Sequence, residues 1–128
     1  MSTLLIKNAR YIVSCDDSDT LYERVNLFIR DGVIVSIGPD YHQADTVLDA
    51  SSMVVYPGLI NTHHHLYQLF SRNLPEVQRM ELFPWLVTLY EVWKGLDEEV
   101  AAWSSLTGFG TLLKTGCTTC FDHHYVFP

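Results

Sequence analysis

From Leu4 to Ser14 the chain is rich in apolar residues, interrupted by Lys7-Asn8-Ala9-Arg10, and a polar loop of Asp16, Asp17, Ser18 and Asp19 follows. Val25 to Arg30 alternates, with Val25, Leu27 and Ile29 on one face, which predicts a half-buried strand. Asp31-Gly32 is a two-residue hairpin signal with Val33 to Ile37 as the partner strand, and Gly38-Pro39-Asp40 marks a further turn. Two short strands, Val47 to Ala50 and Met53 to Tyr56, flank Ser51-Ser52. Short strands with turn punctuation and no helical period predict a small β-sheet module over residues 1–56. Nothing in that module carries catalytic chemistry, and His42 reads as a surface residue.

Pro57-Gly58 marks a boundary, and residues 57–128 follow a different pattern. Leu59 to His63 is an apolar strand ending in three histidines, and Leu66 to Asn73 has room for one or two helical turns. Leu82, Trp85, Leu86, Leu89 and Trp93 keep a helical spacing, with Pro84 tolerated in the first turn. Asp97 is the expected N-cap of a second helix, with Glu98 and Glu99 favoured by the helix dipole. Val100, Trp103, Leu106, Gly110 and Leu113 are its expected apolar face, and Gly116 its C-cap. Gly108 and Gly110 each cost about 1 kcal/mol in a helix interior, which close helix-to-sheet packing would explain. Cys117 to Asp122 reads as a strand. Strand, helix, strand is a βαβ unit of a parallel sheet, so the class is α/β. Two parallel strands cannot close a sheet, and the chain therefore reads as the N-terminal part of a longer one.

Composition narrows the field. The 128 residues include 48% hydrophobic and 18% charged positions, the balance of a folded chain. Eight Lys and Arg against 15 Asp and Glu leave a formal charge of -7. That balance argues against nucleic acid or an anionic membrane as a partner, since both need cationic side chains. Three cysteines are too few and too odd for a disulfide framework, and no apolar run approaches a membrane span, so a cytoplasmic location is expected.

The informative segment is Pro57-Gly-Leu-Ile-Asn-Thr-His63-His64-His65. Strand side chains alternate, so His63 and His65 point one way and His64 the other. Two neutral imidazoles on one face can hold one divalent metal. The spacing alone also fits two exposed strand histidines; the apolar strand leading into them favours the metal reading, because barrel active sites sit at strand C-terminal ends.

Pro57-Gly58-x-x-Asn61-x-His63-x-His65 resembles the first-strand signature of the amidohydrolase superfamily. His63-His-His-Leu-Tyr-Gln68, Glu81 to Tyr90 with Trp93, and Gly116-Cys-Thr-Thr with Asp122-His-His-Tyr125 are most similar to its cytosine/guanine deaminase and s-triazine hydrolase group, in particular to its 8-oxoguanine-deaminating members. The resemblance implies a partial β-sandwich (1–56) followed by the first βα units of a metal-dependent (β/α)8 barrel (57–128), with the chain incomplete. It implies His63 and His65 as two ligands of one divalent ion, zinc first and iron as the alternative. The implied reaction is attack of metal-bound hydroxide on a ring carbon bearing an amino group, with ammonia leaving. An aminated purine-like heterocycle is the implied substrate, 8-oxoguanine preferred and s-triazines or pterins as alternatives. The remaining ligands and the proton-shuttling glutamate are implied to lie further along, so no catalytic residue is assigned within this chain. A full-length homo-oligomer is expected. The rival reading is a free-standing, non-catalytic metal-binding module held by His63 and His65, with or without His123.

Gln68 reads equally as a purine-binding glutamine or a solvated helix residue. His123 and Tyr125 are at the rim of the second strand, where they reach substrate or serve as ordinary loop residues. Trp85 is either a stacking platform for the substrate or part of an aromatic core. Cys117-x-x-Cys120 lies in a strand with no second pair, so two buried cysteines are favoured over a structural zinc.

Overall fold

The computed structural model describes residues 1–127; Pro128, the last residue of the second expected segment, lies outside the described residues. The chain divides into two compact units, Met1–Pro57 and Gly58–Pro128.

The first unit is a sheet of β1 (Thr3–Val13), β2 (Leu21–Arg30), β3 (Val33–Gly38), β4 (Thr46–Asp49) and β5 (Val54–Val55). Its order is β3-β2-β1-β4, and β5 also pairs with β1. One flank of β1 is shared: β4 pairs in parallel with Leu4 to Lys7, and β5 pairs in parallel with Tyr11 and Ile12. The polar interruption at Lys7-Asn8 does not break β1. It is a bulge between Ile6 and Ala9, with Asn8 in the left-handed region at φ 58°. The Asn8 N–H donates to Asn26 Oδ1 at 2.8 Å, so a neighbouring side chain satisfies the group that the bulge frees. Asp31 and Gly32 both have positive φ, as a two-residue type I′ turn requires. Ala9, Ile12, Leu27 and Ala50 form the buried core. His42 is a correction to the surface reading: it is half-buried, stacks on Phe28 at 4.5 Å between ring centroids, and lies 3.3 Å from Ser36 Oγ.

The second unit runs β6 (Leu59–His64), a 3₁₀ segment (Leu66–Ser71), a short 3₁₀ turn (Pro75–Val77), α1 (Leu82–Trp93), α2 (Glu98–Lys114) and β7 (Cys117–Asp122). β6 and β7 are parallel neighbours, giving the expected βαβ unit. Asp97 caps α2 by accepting the Val100 N–H at 2.8 Å, and Gly116 takes φ 83° after its last turn. Tyr67, Val77, Leu89 and Trp93 are the buried cluster of this unit.

The buried face of α2 is not the expected one. Ser104 and Gly108 are buried, whereas Trp103, Leu106 and Leu113 are each more than half exposed. The 3₁₀ segment sits close against α2, and only a stripe of small residues lets it approach. A Cβ at Gly108 would lie 2.5 Å from Leu66 Cδ2, so this glycine is required by the 3₁₀ segment rather than by the sheet. Nothing lies within 4 Å of a Cβ at Gly110, and no packing explains that glycine.

Candidate metal centre

His63 lies in β6 and His65 one residue past its end, and the alternation of the extended chain brings both to one face. Their Nε2 atoms converge to 3.1 Å. His64 turns away toward α2, where its Cε1 would lie 3.9 Å from a Cβ at Gly108.

The β7 rim fixes this pair through the backbone. The His123 N–H donates to the His64 carbonyl at 2.7 Å. The His123 carbonyl in turn accepts from His65 Nδ1 at 2.8 Å. A carbonyl is an acceptor only, so Nδ1 must carry the proton and Nε2 of the neutral ring keeps its lone pair. His65 is thereby set in the tautomer that a metal ligand needs, by the kind of outer hydrogen bond that orients such ligands. The 3.1 Å separation matches two nitrogens that each lie about 2.0–2.1 Å from a shared ion. The donor set therefore fits a divalent ion. Among the described residues, no group of three or more His, Cys, Asp or Glu side chains could complete such a site.

Gln68 follows one turn later on the 3₁₀ segment. It borders an open cleft of about 400 Å³ with His63, His64, His65, Leu69 and Arg72. Its Nε2 donates to the Tyr67 hydroxyl at 2.9 Å. Burial pushes the Tyr67 phenol above its ordinary pKa, so the hydroxyl stays protonated. Trp93 Nε1 donates to Ser71 Oγ at 3.0 Å, and Ser71 Oγ donates to the Gln68 carbonyl at 2.8 Å. These bonds tie the 3₁₀ segment to α1.

The other expected residues divide. The His123 ring lies 4.5 Å from that of His63, and its Nε2 is buried without a partner. Tyr125 is exposed, with its ring 5.4 Å from His65. Both are therefore brought to the histidine pair. Trp85 is not: it packs against the Tyr67–Trp93 cluster and borders a separate cleft with Val77, Gln78, Met80 and Leu82. Cys117 is buried and Cys120 half-buried; burial pushes the Cys120 thiol up, which suits a structural residue.

Sequence reasoning missed Ser104 and Arg72. Ser104 has no nucleophile context, but it is fully buried and its Oγ donates to the Leu66 carbonyl at 2.6 Å. The available signal was its spacing of four from Gly108, two small residues on one helix face.

The amidohydrolase family model matches residues 54–127. The chain belongs to the amidohydrolase family. It is 41% identical to 8-oxoguanine deaminase of Pseudomonas aeruginosa, over 100% of this chain and 29% of that protein. It is 35% identical to hydroxydechloroatrazine ethylaminohydrolase of Pseudomonas sp. strain ADP, over 98% of this chain and 29% of that protein. Atrazine chlorohydrolase from Arthrobacter aurescens TC1, solved in complex with zinc, superposes with a TM-score of 0.90 at 27% identity, over 98% of this chain and 29% of that one. This amidohydrolase chain thus spans less than a third of the length of these relatives. Its fold is the corresponding portion of a (β/α)8 barrel enzyme with its accompanying β-sheet unit. No helix among the described residues is long and apolar enough to cross a membrane.

Proposed function

We propose that this chain supplies part of the active site of a metal-dependent hydrolase that deaminates an amino-substituted heterocycle, with 8-oxoguanine as the preferred substrate. The observation that carries this reading is the convergence of His63 and His65 Nε2, with His65 held in the metal-competent tautomer by the His123 carbonyl. The 41% identity to an 8-oxoguanine deaminase supports the substrate. His63 and His65 are the residues that would hold the ion, with zinc favoured over iron. When bound, a divalent ion there lowers the pKa of water from ~15.7 to about 7, which supplies a nucleophile at neutral pH.

The chain's own residues do the rest of what is visible. The Gln68 amide offers a donor and an acceptor to the edge of a heterocycle in the cleft. Tyr125 presents an aromatic face beside His65. The His123 ring brings an unpartnered buried nitrogen next to His63. A buried polar atom without a partner costs about 1–3 kcal/mol, so a bound group that supplies a hydrogen bond there is favoured.

The test is performed on the whole protein. Ammonia release is followed with 8-oxoguanine, an amino-s-triazine and a pterin, and bound metal is quantified. The wild type should carry about one ion per chain and turn over 8-oxoguanine fastest. His63→Ala or His65→Ala should abolish turnover and lower bound metal. Both variants retaining full metal and activity would remove the ligand assignment; a triazine or pterin turning over fastest would overturn the substrate alone.

A further inference from the structure

Leu66 is the residue after a proposed ligand and two before the residue facing the cleft. Its N–H, its carbonyl and its side chain are all engaged. Its N–H donates to Asp122 Oδ1 at 2.8 Å. Its carbonyl accepts from the Ser104 hydroxyl at 2.6 Å. Its side chain fills the space left by the absent Cβ of Gly108. Leu66 is itself 2% exposed and Ser104 0%. The 3₁₀ segment has no side-chain cap of its own from His65, so Asp122 takes the place of a cap from across β7. Ser104 and Gly108 are four apart on α2 and so present one face to it.

We infer that Ser104 and Asp122 are positioning residues, which clamp the Leu66 peptide and thereby fix where His65 and Gln68 stand. The inference rests on the metal reading of His65, but it adds two residues that touch neither ion nor substrate. The physical reason is rigidity at the correct place. His65 has its ring held by the His123 carbonyl, but its backbone leaves the strand here, at φ -134° and ψ 83°. A free peptide at 66 would let the ring slide along that single bond. With the clamp, the chain leaves β6 in one direction, and the Gln68 side chain reaches the cleft at a set height. Asp122 makes this a coupling between strands, because it ends β7 while Leu66 follows β6. Its other oxygen, Oδ2, lies 3.2 Å from His124 Nδ1, a second anchor for the carboxylate.

The test compares Ser104→Ala, Asp122→Ala and Asp122→Asn in the whole protein, with two readouts. The first is amide hydrogen exchange over residues 65–68 of the metal-free protein. Ser104→Ala and Asp122→Ala should accelerate exchange there and leave α1 unchanged. Asp122→Asn keeps an oxygen acceptor and should stay near wild type. The second is zinc affinity, measured by competition with a chelator. It should fall about 10-fold in the two alanine variants, the scale seen for groups that orient ligands, and be restored in Asp122→Asn. If Ser104→Ala does not fold, the Asp122 pair decides. Unchanged exchange in the alanine variants, or faster exchange with unchanged zinc affinity, overturns the inference. Failure of the metal reading looks different: wild-type protein would then bind no zinc, while the exchange result would still report on the clamp.

Discussion

At the scale of single residues, the arrangement separates groups that hold from groups that contact. Gln68 borders the cleft; its side chain bonds to the Tyr67 hydroxyl, and only its backbone N–H, which donates to the His65 carbonyl at 3.1 Å, ties it to the histidine pair. Gln68→Ala should therefore raise KM severalfold and leave metal content unchanged; equal kinetics would take it out of the site. His123 works on His65 through its carbonyl, which every residue possesses. His123→Ala should keep the full complement of metal, as measured by elemental analysis, while any loss of activity reports on the ring nitrogen beside His63. The convergence of His63 and His65 was legible in the sequence, because strand alternation and the H-x-H spacing suffice to place two rings on one face. The grip of His123 on His65 was not. It joins residues 58 apart through a main-chain atom, and no side-chain identity signals it.

At the scale of elements, boundaries followed from local rules, and the packing of α2 did not. Asp97, Gly116 and the Asp31-Gly32 turn act through their own neighbours, so pattern reading finds them. The choice of buried face on α2 depends on a partner far along the chain, the 3₁₀ segment, and hydrophobic periodicity pointed to the opposite side. The two helix glycines provide a contrast. Gly110→Ala meets nothing and should stabilise the protein by about 0.5–1 kcal/mol through helix propensity alone. Gly108→Ala gains the same propensity but drives a methyl into Leu66, which is buried and has nowhere to retreat. It should destabilise by about 1–3 kcal/mol, read from urea unfolding midpoints. In the sheet unit, the Ser51 backbone N–H and hydroxyl hold the Asp49 carboxyl down at about 2, with Lys7 adding to the effect from 3.3 Å. The sign follows from linkage: a carboxyl depressed in the folded state stabilises that state above its unfolded value of 3.8, and the contribution fades as pH falls through 2. A carboxyl-carbon NMR titration should place the Asp49 midpoint near 2, and Asp49→Asn should remove that part of the acid dependence.

At the scale of the whole molecule, much apolar surface faces outward. Trp103, Leu106 and Leu113 are exposed on α2, and Val33, Ile34 and Val35 on β3. β7 has β6 on one side and no second strand partner among the described residues. Surfaces of this kind associate. The 128-residue chain prepared alone should self-associate, seen as a rise in light-scattering mass with concentration, and Trp103→Glu with Leu106→Glu should reduce it. The class of the second unit was legible, since strand, helix and strand follow one another in the sequence. The long β1 with two partners along one flank was not, because its bulge reads as an interruption until Asn26 is seen to satisfy it.

The bond from the His123 carbonyl to His65 has a consequence for how such a site can change over generations. Because peptide atoms perform the steering, position 123 is free to trade its ring for another side chain without releasing the His65 ring. Proline is the exception, since it lacks the N–H that reaches His64. A single substitution at this position therefore changes the surface beside His63 while the His65 ring keeps its tautomer.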